Sequence, residues 1–201
     1  MSITRRELVT EHGPFPVQQA NQLSNLLLTW PQDDAGFEVR GVILYGLAEI
    51  ERARRCAVYL RSGDAAGFGA LAYLSHDGDR LVVHDDALKP GPWTYEVSDE
   101  YLRGLIADLG SGEADREARA QLHRQPGKYG CSTERIDLIV DIASRQPGVV
   151  GAQIAGAGLG GCALILVQQD ATDGLIGVLA EAGFQARRYY PVEGAGVVNL
   201  S

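Results

Sequence analysis

The stretch "GAQIAGAGLGGCALILV", residues 151–167, decides the fold because it places two short apolar runs on either side of a glycine-rich turn. The apolar runs have the length of strands, so the stretch predicts a β-hairpin. Glycines occupy four of the six positions 156–161, whereas a two-residue hairpin turn needs glycine at only one or two. The extra glycines indicate that side chains are excluded, either for close packing of a neighbouring element or so that an anion reaches backbone amides.

A dinucleotide-binding fingerprint is the first alternative for this turn. Gly156, Gly158 and Gly161 match the spacing G-x-G-x-x-G, and Glu181 follows 20 residues after Gly161. In that fingerprint a helix begins at the turn and points its N-terminus at the pyrophosphate. Here the turn is followed by "CALILVQQD", a run of strand length, which argues against the fingerprint. A P-loop is excluded because no Lys-Ser or Lys-Thr follows the glycines.

Composition limits the class of protein. The chain has 201 residues, of which 45% are hydrophobic and 22% charged, as is typical of a globular domain with a sizeable core. A net charge of −8 argues against nucleic-acid or anionic-membrane partners. Because no apolar run approaches the length of a membrane span or signal sequence, we expect a cytoplasmic protein. The three cysteines are widely spaced, which predicts free thiols rather than a metal site.

Helical periodicity dominates the part of the chain before the hairpin. In residues 37–61 apolar side chains recur at helical spacing between charged ones, which predicts a long amphipathic helix. The sequence "SGD" at 62–64 ends this helix and provides an N-cap for a second helix over 65–76. Residues 77–127 are polar and contain three prolines and two amphipathic pieces. We therefore expect them to form an inserted or peripheral helical region.

After residue 129 the predicted elements follow one another closely. A helix in "STERIDLIVDIAS" begins at a capping residue, Ser132 or Thr133, and the hairpin strands follow it. A further helix in "ATDGLIGVLAEAG" comes next. Two short strands are predicted to close the chain, at residues 186–192 and 196–200.

The hairpin sequence, extended to "PGVVGAQIAGAGLGGCALILV", resembles the third conserved motif of the GHMP small-molecule kinases. The resemblance is greatest to its galactokinase form, in which a strand leads through a turn of the type G-A-G-F-G-G-C into a second strand. A second resemblance lies upstream, in "RARRCAVYLRSGDAAGFGALAYLSHDGDRL". There the galactokinases have a long helix, followed by Gly-Asp, a Phe-Gly pair and a Ser-His pair. The Ser-His pair corresponds here to Ser75 and His76.

A third segment, "YGCSTERIDLIVDIA", resembles the Tyr-x-x-Ser-x-x-Glu-x-Asp segment that precedes the motif in galactokinases. Tyr129, Ser132 and Asp137 correspond to its members, and Glu134 is displaced by one position. The terminal "GAGVVNL" resembles the family's last strand. The 77–127 region is longer than in a typical galactokinase and matches poorly, which suggests a galactokinase-like branch rather than galactokinase itself.

The resemblance implies an α+β, ferredoxin-like GHMP kinase C-terminal domain over residues 37–201, with additional N-terminal helices and a lead-in segment at 1–36. It implies ATP-dependent phosphoryl transfer to a sugar hydroxyl, with ATP and Mg²⁺ in the complete kinase. The family's Gly-Glu-His type sugar signature, its Pro-x-Gly-x-Gly-Leu-Ser-Ser-Ser phosphate motif and its catalytic Asp belong to an N-terminal half that this sequence lacks. We therefore expect the isolated chain to be inactive and assign it no catalytic residue and no metal ligand.

Three interpretations of the chain stay open. It is a truncated kinase, or one half of a kinase whose N-terminal half is a separate chain, or a non-catalytic small-molecule-binding or regulatory module. Sugar and ATP are the expected partners of the complete enzyme. Alone, the chain is expected to form a homo-oligomer through the helix at 37–61 and the hairpin at 151–167, because an unpaired domain face exposes apolar surface.

The candidate site residues follow from the resemblance. One set forms a wall of a phosphate cradle or, alternatively, only allows tight packing: Gly156, Gly158, Gly160 and Gly161. A second set is the candidate lining of the cleft: Ser75, His76 and Tyr129. For the first two of these a surface helix terminus is the simpler expectation, and for the tyrosine a plug in the core. Two other sets are expected to be solvent-exposed: the histidines His12, His84 and His123, and the arginines Arg52, Arg54 and Arg55.

Overall fold

The computed structural model describes residues 39–156 and 161–190. Helices and short strands alternate along these residues, and the expected α+β class is confirmed. The lead-in segment at 1–36 lies outside the described residues. In chain order the elements are α1 (Val39–Ser62), α2 (Ala65–Asp79), β1 (Val82–His84), β2 (Pro90–Pro92), α3 (Asp99–Leu109), α4 (Ala114–Ala120), α5 (Glu134–Ser144), β3 (Val149–Ile154), β4 (Ala163–Val167) and α6 (Thr172–Glu181).

The strands form two antiparallel pairs, β1 with β2 and β3 with β4. The order β1, α5, β3, β4, α6 is that of the first five elements of a ferredoxin-like βαββαβ unit, with β2, α3 and α4 inserted after β1. The prediction of a strand at 186–192 is wrong as far as the structure describes it, because residues 186–190 form no regular element. The strand predicted at 196–200 lies outside the described residues.

The apolar core lies under one face of the β3–β4 hairpin, against α5 and α6. The hairpin register places alternate residues of both strands on this face. Thr133 caps the N-terminus of α5 by accepting a hydrogen bond from the Ile136 amide, which fixes where that helix enters the core. The buried members of the core are Val140, Ile142, Ala143, Ala152, Leu175, Leu179 and Phe184.

Helix α2 packs on the opposite face of the hairpin by direct contact between two backbones. A Cβ atom on Gly69 of α2 would lie 1.9 Å from the Val150 carbonyl oxygen. A Cβ on Gly151 would lie 2.5 Å from Gly69 Cα. The strand register shifts between Val149 and Gly151, so this contact is made at a β-bulge. Close packing therefore accounts for Gly151, which lies in the strand before the turn.

The 77–127 region differs along its length. Its two helices, α3 and α4, pack on each other, whereas β1 packs on α5. The segment that follows, up to residue 130, is held against α1 and α2. There the Lys128 amide donates to the Gly41 carbonyl at 2.9 Å, and the Tyr129 amide donates to the Gly78 carbonyl at 2.7 Å. The part of the 77–127 region that is peripheral is therefore its middle, which contains α3 and α4.

Candidate functional site

The base of the glycine-rich turn is open. The Ala155 amide donates to the Cys162 carbonyl at 2.9 Å and closes the hairpin. Gly156 and Gly161 follow on either side with φ values of +61° and +65°, in the left-handed region that favours glycine. Among the described residues, no atom lies within 4 Å of a Cβ placed on either glycine. Backbone conformation, and not crowding by the described residues, therefore requires glycine at both positions.

At Gly156 and Gly161 no described side chain covers the backbone, and an accessible backbone is one requirement of a nucleotide phosphate site. A bare, uncovered backbone lets an anion approach the amide groups, which side chains would otherwise shield. Gly158 and Gly160, the other two glycines predicted for the cradle, lie outside the described residues. The residues that the structure covers contain no group of three or more His, Cys, Asp or Glu placed to hold a metal ion.

His76 lies in the last turn of α2 but is not on the surface. Helix α2 continues to Asp79, and the His76 side chain is fully buried, with 0% exposure. Its Nε2 atom lies 3.3 Å from Asp137 Oδ1, although neither ring nitrogen forms a hydrogen bond. The expectation of a surface terminus is therefore wrong for His76, and its burial also removes it from any open cleft. Ser75 beside it is half-buried.

Asp137 of α5 holds the start of β1 in place. Its Oδ2 atom accepts hydrogen bonds from the Leu81 and Val82 amides, both at 2.9 Å, and its Oδ1 atom accepts one from Ser132 Oγ at 2.5 Å. Burial alone would raise the pKa of this carboxyl, but His76, Ser132 and the two amides together lower it. Asp137 is therefore a buried carboxylate that ties α5 to the end of α2 and to β1.

Asp79, at the C-terminal end of α2, is a buried carboxyl whose pKa is raised, whereas that of Asp137 is lowered. It accepts hydrogen bonds from Tyr45 Oη at 2.8 Å and from Cys131 Sγ at 3.1 Å. Burial is the main cause that raises its pKa, and it also raises that of Tyr45. Burial and the bond to Asp79 raise the pKa of Cys131 to about 12. The Cys131 thiol is thus protonated at neutral pH and is no nucleophile.

A second buried carboxylate of α5, Asp141, pairs with two basic side chains. Arg80 Nη1 donates to Asp141 Oδ1 at 2.6 Å, and His84 Nδ1 lies 2.9 Å from Oδ2. The His84 amide also donates to Oδ2, at 2.8 Å. The expectation that His84 and His123 are solvent-exposed is wrong, because both are buried. His12 lies outside the described residues.

Tyr129 does not plug the core. Its ring stacks on Tyr45 of α1, with centroids 5.2 Å apart and an angle of 11° between the planes, and half of the residue (51%) stays exposed. The stacked pair adjoins Asp79, because the Tyr45 hydroxyl donates to Asp79 Oδ2. Of the three candidate cleft-lining residues, Tyr129 is exposed, Ser75 is half-buried and His76 is buried.

The position of Arg52 differs most from the one expected from the sequence. We expected it on a solvated helix face with Arg54 and Arg55, but it is 2% exposed. Its Nη1 atom donates to the carbonyls of His123 and Gln125 at 3.1 and 2.8 Å. Arg52 thus binds the segment after α4 to the middle of α1.

Comparison with known proteins locates the family within the chain. Residues 102–183 match the family model described as "GHMP kinases C terminal". Residues 102–183 are a GHMP kinase C-terminal domain. The match begins inside the 77–127 region and runs from α3 to the end of α6, so it includes the glycine-rich hairpin. Helices α1 and α2 precede it.

Curated relatives show that this GHMP domain is galactokinase-like. The galactokinase of Lactiplantibacillus plantarum is 36% identical over 133 residues, which are 61% of this chain and 34% of that protein. The galactokinase of Enterococcus faecalis is 40% identical over 88 residues, 41% of this chain and 23% of that protein. This chain therefore spans about a third or less of their length. No solved structure gives a significant match. Among the described residues no helix is long and apolar enough to cross a membrane.

Proposed function

We propose that this GHMP domain is the C-terminal part of a galactokinase-like sugar kinase, which transfers a phosphoryl group from ATP to a sugar hydroxyl. The supporting observation is the uncovered glycine backbone at Gly156 and Gly161, in a hairpin whose sequence resembles the galactokinase motif. Free thiols at Cys56 and Cys131 fit a reducing, cytoplasmic compartment in which ATP is available.

The role of this chain in the reaction is positioning. Phosphoryl transfer needs a phosphate cradle, a metal ion and an oriented hydroxyl, and gains most from charge stabilisation. The turn would supply backbone amides to the phosphates of ATP, while the Mg²⁺ that accompanies ATP neutralises charge on them. The carboxylates Asp79, Asp137 and Asp141 are buried and engaged with partners inside the domain. They join α1, α2, β1 and α5 to one another, and we assign the proton acceptor to an N-terminal half.

One face of the hairpin is suited to contact that half. Leu164 and Leu166 of β4 lie on the face opposite the core and are 61% and 37% exposed. The same face of β3 is covered by α2 at Gly151. An apolar strand face left open beside a phosphate-binding turn fits closure by a second domain. When no such domain is present, this strand supplies the surface for the expected self-association.

The kinase proposal is tested with the purified chain, Mg-ATP and a panel of hexoses and pentoses. We expect no sugar-dependent ADP release from the chain alone. Adding a separately expressed N-terminal half of the Lactiplantibacillus plantarum galactokinase is expected to produce ADP release that Gly161→Val abolishes. Gly174→Ala is the matched control, because Gly174 has no neighbour within 4 Å of its Cβ position and lies in α6. Turnover by the chain alone would contradict the expected inactivity.

A cavity supports the alternative of a small-molecule-binding module. It has a volume of about 400 Å³ and lies between the β1–β2 turn, the end of α5 and α6. This volume is in the range of small-molecule sites. Its lining combines apolar side chains, among them Leu88, Ile142, Val178 and Ala182, with charged ones, among them Arg145 and Glu181. Saturable binding of a sugar or nucleotide that Val178→Trp abolishes, with no turnover even beside an N-terminal half, would favour the module.

A further inference from the structure

The cavity between the β1–β2 turn, α5 and α6 contains a leucine in an unfavourable backbone conformation. Leu88 has a φ of +57°, in the left-handed region, and no other non-glycine residue in the described part of the chain has a positive φ. Leu88 lines the cavity and is 43% exposed. Glycine or asparagine would adopt this conformation with less strain. Strained residues of this kind occur at ligand-binding sites.

The turn that holds Leu88 does not need a leucine side chain. The Leu88 amide donates to the Asp85 carbonyl at 2.9 Å, and the Asp85 amide donates to the Lys89 carbonyl at 3.0 Å. Asp85 Oδ1 also accepts hydrogen bonds from the Ala87 and Lys89 amides, both at 2.9 Å. All four bonds are made by backbone groups or by Asp85. The leucine side chain therefore contributes to the cavity and not to the shape of the turn.

The charged groups that line the cavity favour a positive ligand. Glu181, the last residue of α6, is exposed, and no described residue pairs with its carboxylate. Arg145 is the basic residue of the lining, and its guanidinium donates to the His84 carbonyl. Its Nε atom also lies 4.0 Å from a carboxylate oxygen of Asp86. The positive charge of the lining is thus already engaged, whereas the negative charge of Glu181 is not.

Hydrogen-bonding capacity in the cavity points in the same direction. Gln146 Nε2 donates to the Ile142 carbonyl at 3.2 Å, so the oxygen of this amide is the atom left for a ligand. An amide oxygen and an unpaired carboxylate both accept hydrogen bonds, so they suit a ligand that donates them. Leu88 and Val178 provide apolar contact for the rest of the ligand. The net charge of −8 also attracts cations to the protein.

We infer that this cavity binds a small organic cation, an ammonium group carried on an apolar body. The phosphates of a nucleotide would meet two carboxylates there, and a sugar would place hydroxyl groups against apolar walls. None of the lining residues belongs to the β3–β4 hairpin, so the cavity is separate from the glycine-rich turn. The inference does not depend on the proposed kinase function.

The test uses the full chain and three probes that share a phenyl body: 2-phenylethylammonium, 2-phenylethanol and phenylacetate. We expect the ammonium probe to bind in the millimolar range, as is usual for so small a ligand. The alcohol should bind several-fold more weakly and the carboxylate not measurably. Amide-resolved NMR titration gives each affinity and should place the shifts at residues 86–88, 142–146 and 178–182. Galactose and Mg-ATP are titrated in the same way.

Two variants separate the charge from the apolar contact. Glu181→Gln should lower the affinity for the ammonium probe about two- to fivefold and leave that for the alcohol unchanged. Asp170→Asn is the matched control, because it removes an exposed carboxylate outside the cavity. Leu88→Asn should weaken binding of both probes several-fold, while Tm stays constant or rises by a few degrees as strain is relieved. Leu109→Asn is its control, at a residue 45% exposed at the end of α3.

Several outcomes would overturn the inference. Phenylacetate that binds as tightly as the ammonium probe would mean that Arg145 determines what the cavity takes. A lower Tm in Leu88→Asn would show that the leucine serves the fold. If that variant does not fold, Glu181→Gln still decides, since an affinity for the ammonium probe equal to that of Asp170→Asn contradicts the assigned charge. Galactose or Mg-ATP that shifts the same amides at lower concentration would assign the cavity to those ligands instead.

Discussion

Gly69 of α2 and Gly151 of β3 touch backbone to backbone, so that a Cβ on either glycine would overlap the other segment. The clash at Gly69 is with the Val150 carbonyl, which is fixed by the hairpin. We expect Gly69→Ala to lower the free energy of unfolding by about 3 kcal/mol, the upper part of the range for overpacking. Gly46→Ala is the control, since Gly46 lies in α1 with nothing within 4 Å of its Cβ position. That variant is expected to be neutral or to gain up to about 1 kcal/mol. Equal urea midpoints for the two variants would refute the close contact.

Gly161 tests the second role of glycine, that of backbone conformation. Its φ of +65° strains any L-residue, although space is available for a side chain. We expect Gly161→Ala to cost about 1 to 2 kcal/mol in urea unfolding, the price of a left-handed conformation. Gly174→Ala, in α6 and equally uncrowded, is expected to cost nothing. A Gly161→Ala variant as stable as the parent chain would show that this position does not need the left-handed region.

Asp137 is expected to make stability depend on pH in the acid range. Its pKa is lowered in the folded state, so its contribution is present above the unfolded pKa of about 3.9 and is lost as the pH falls through the lower native pKa. At pH 7 we expect Asp137→Asn to cost about 2 to 3 kcal/mol, because two amide donors lose a charged acceptor. The difference from the parent chain should shrink below about pH 4. Asp86→Asn, at a fully exposed carboxylate, is the control; a difference that persists unchanged at low pH would contradict the prediction.

Asp79 is expected to make the protein less stable as the pH rises, the opposite of the effect of Asp137. Burial raises its pKa, so its favourable contribution is fully present below the unfolded pKa of about 3.9 and is lost as the pH rises through the native pKa. Asp79→Asn, which mimics the protonated form, should therefore gain stability relative to the parent chain as the pH rises above about 4. The measurement is urea unfolding of both proteins over the same pH series. If the difference between them does not change with pH, the carboxyl ionises in the fold as easily as in the unfolded chain.

Much of the local structure follows from sequence pattern. Helix α1 was expected at 37–61 and forms at Val39–Ser62, and Asp64 caps α2 as predicted, by accepting a hydrogen bond from the Gly67 amide at 2.8 Å. The two hairpin strands were also predictable, because the turn residues and the strand-length apolar runs are adjacent in the chain. These features depend on neighbours within a few residues.

The burial of polar side chains was not predictable in the same way. The partner of the His84 ring lies 57 positions away, and the carbonyls that Arg52 binds lie 71 and 73 positions away. Local sequence shows a charged residue among charged residues, and that pattern is typical of a solvated surface. A weak signal existed in α1, where Arg52 falls on the same side of the helix as buried Ala48.

Arg52 connects α1 to the GHMP domain, and its removal is expected to loosen that domain. Gln125, whose carbonyl Arg52 binds, in turn accepts a hydrogen bond from the Tyr101 hydroxyl of α3 at 2.7 Å and donates from its amide to the Arg119 carbonyl of α4 at 2.8 Å. Arg52→Met leaves two buried carbonyls without this donor, so we expect a loss of about 3 kcal/mol.

Arg54→Met is the matched control for this prediction. Arg54 lies on the same helix with a side chain that is 74% exposed, so its replacement is expected to change stability by less than about 0.5 kcal/mol. Amide hydrogen exchange shows which helices are destabilised in each variant. Amides of α3 and α4 should exchange faster in Arg52→Met and be unchanged in Arg54→Met, because only Arg52 reaches Gln125. Faster exchange confined to α1 would mean that the guanidinium stabilises its own helix and does not hold the inserted helices to it.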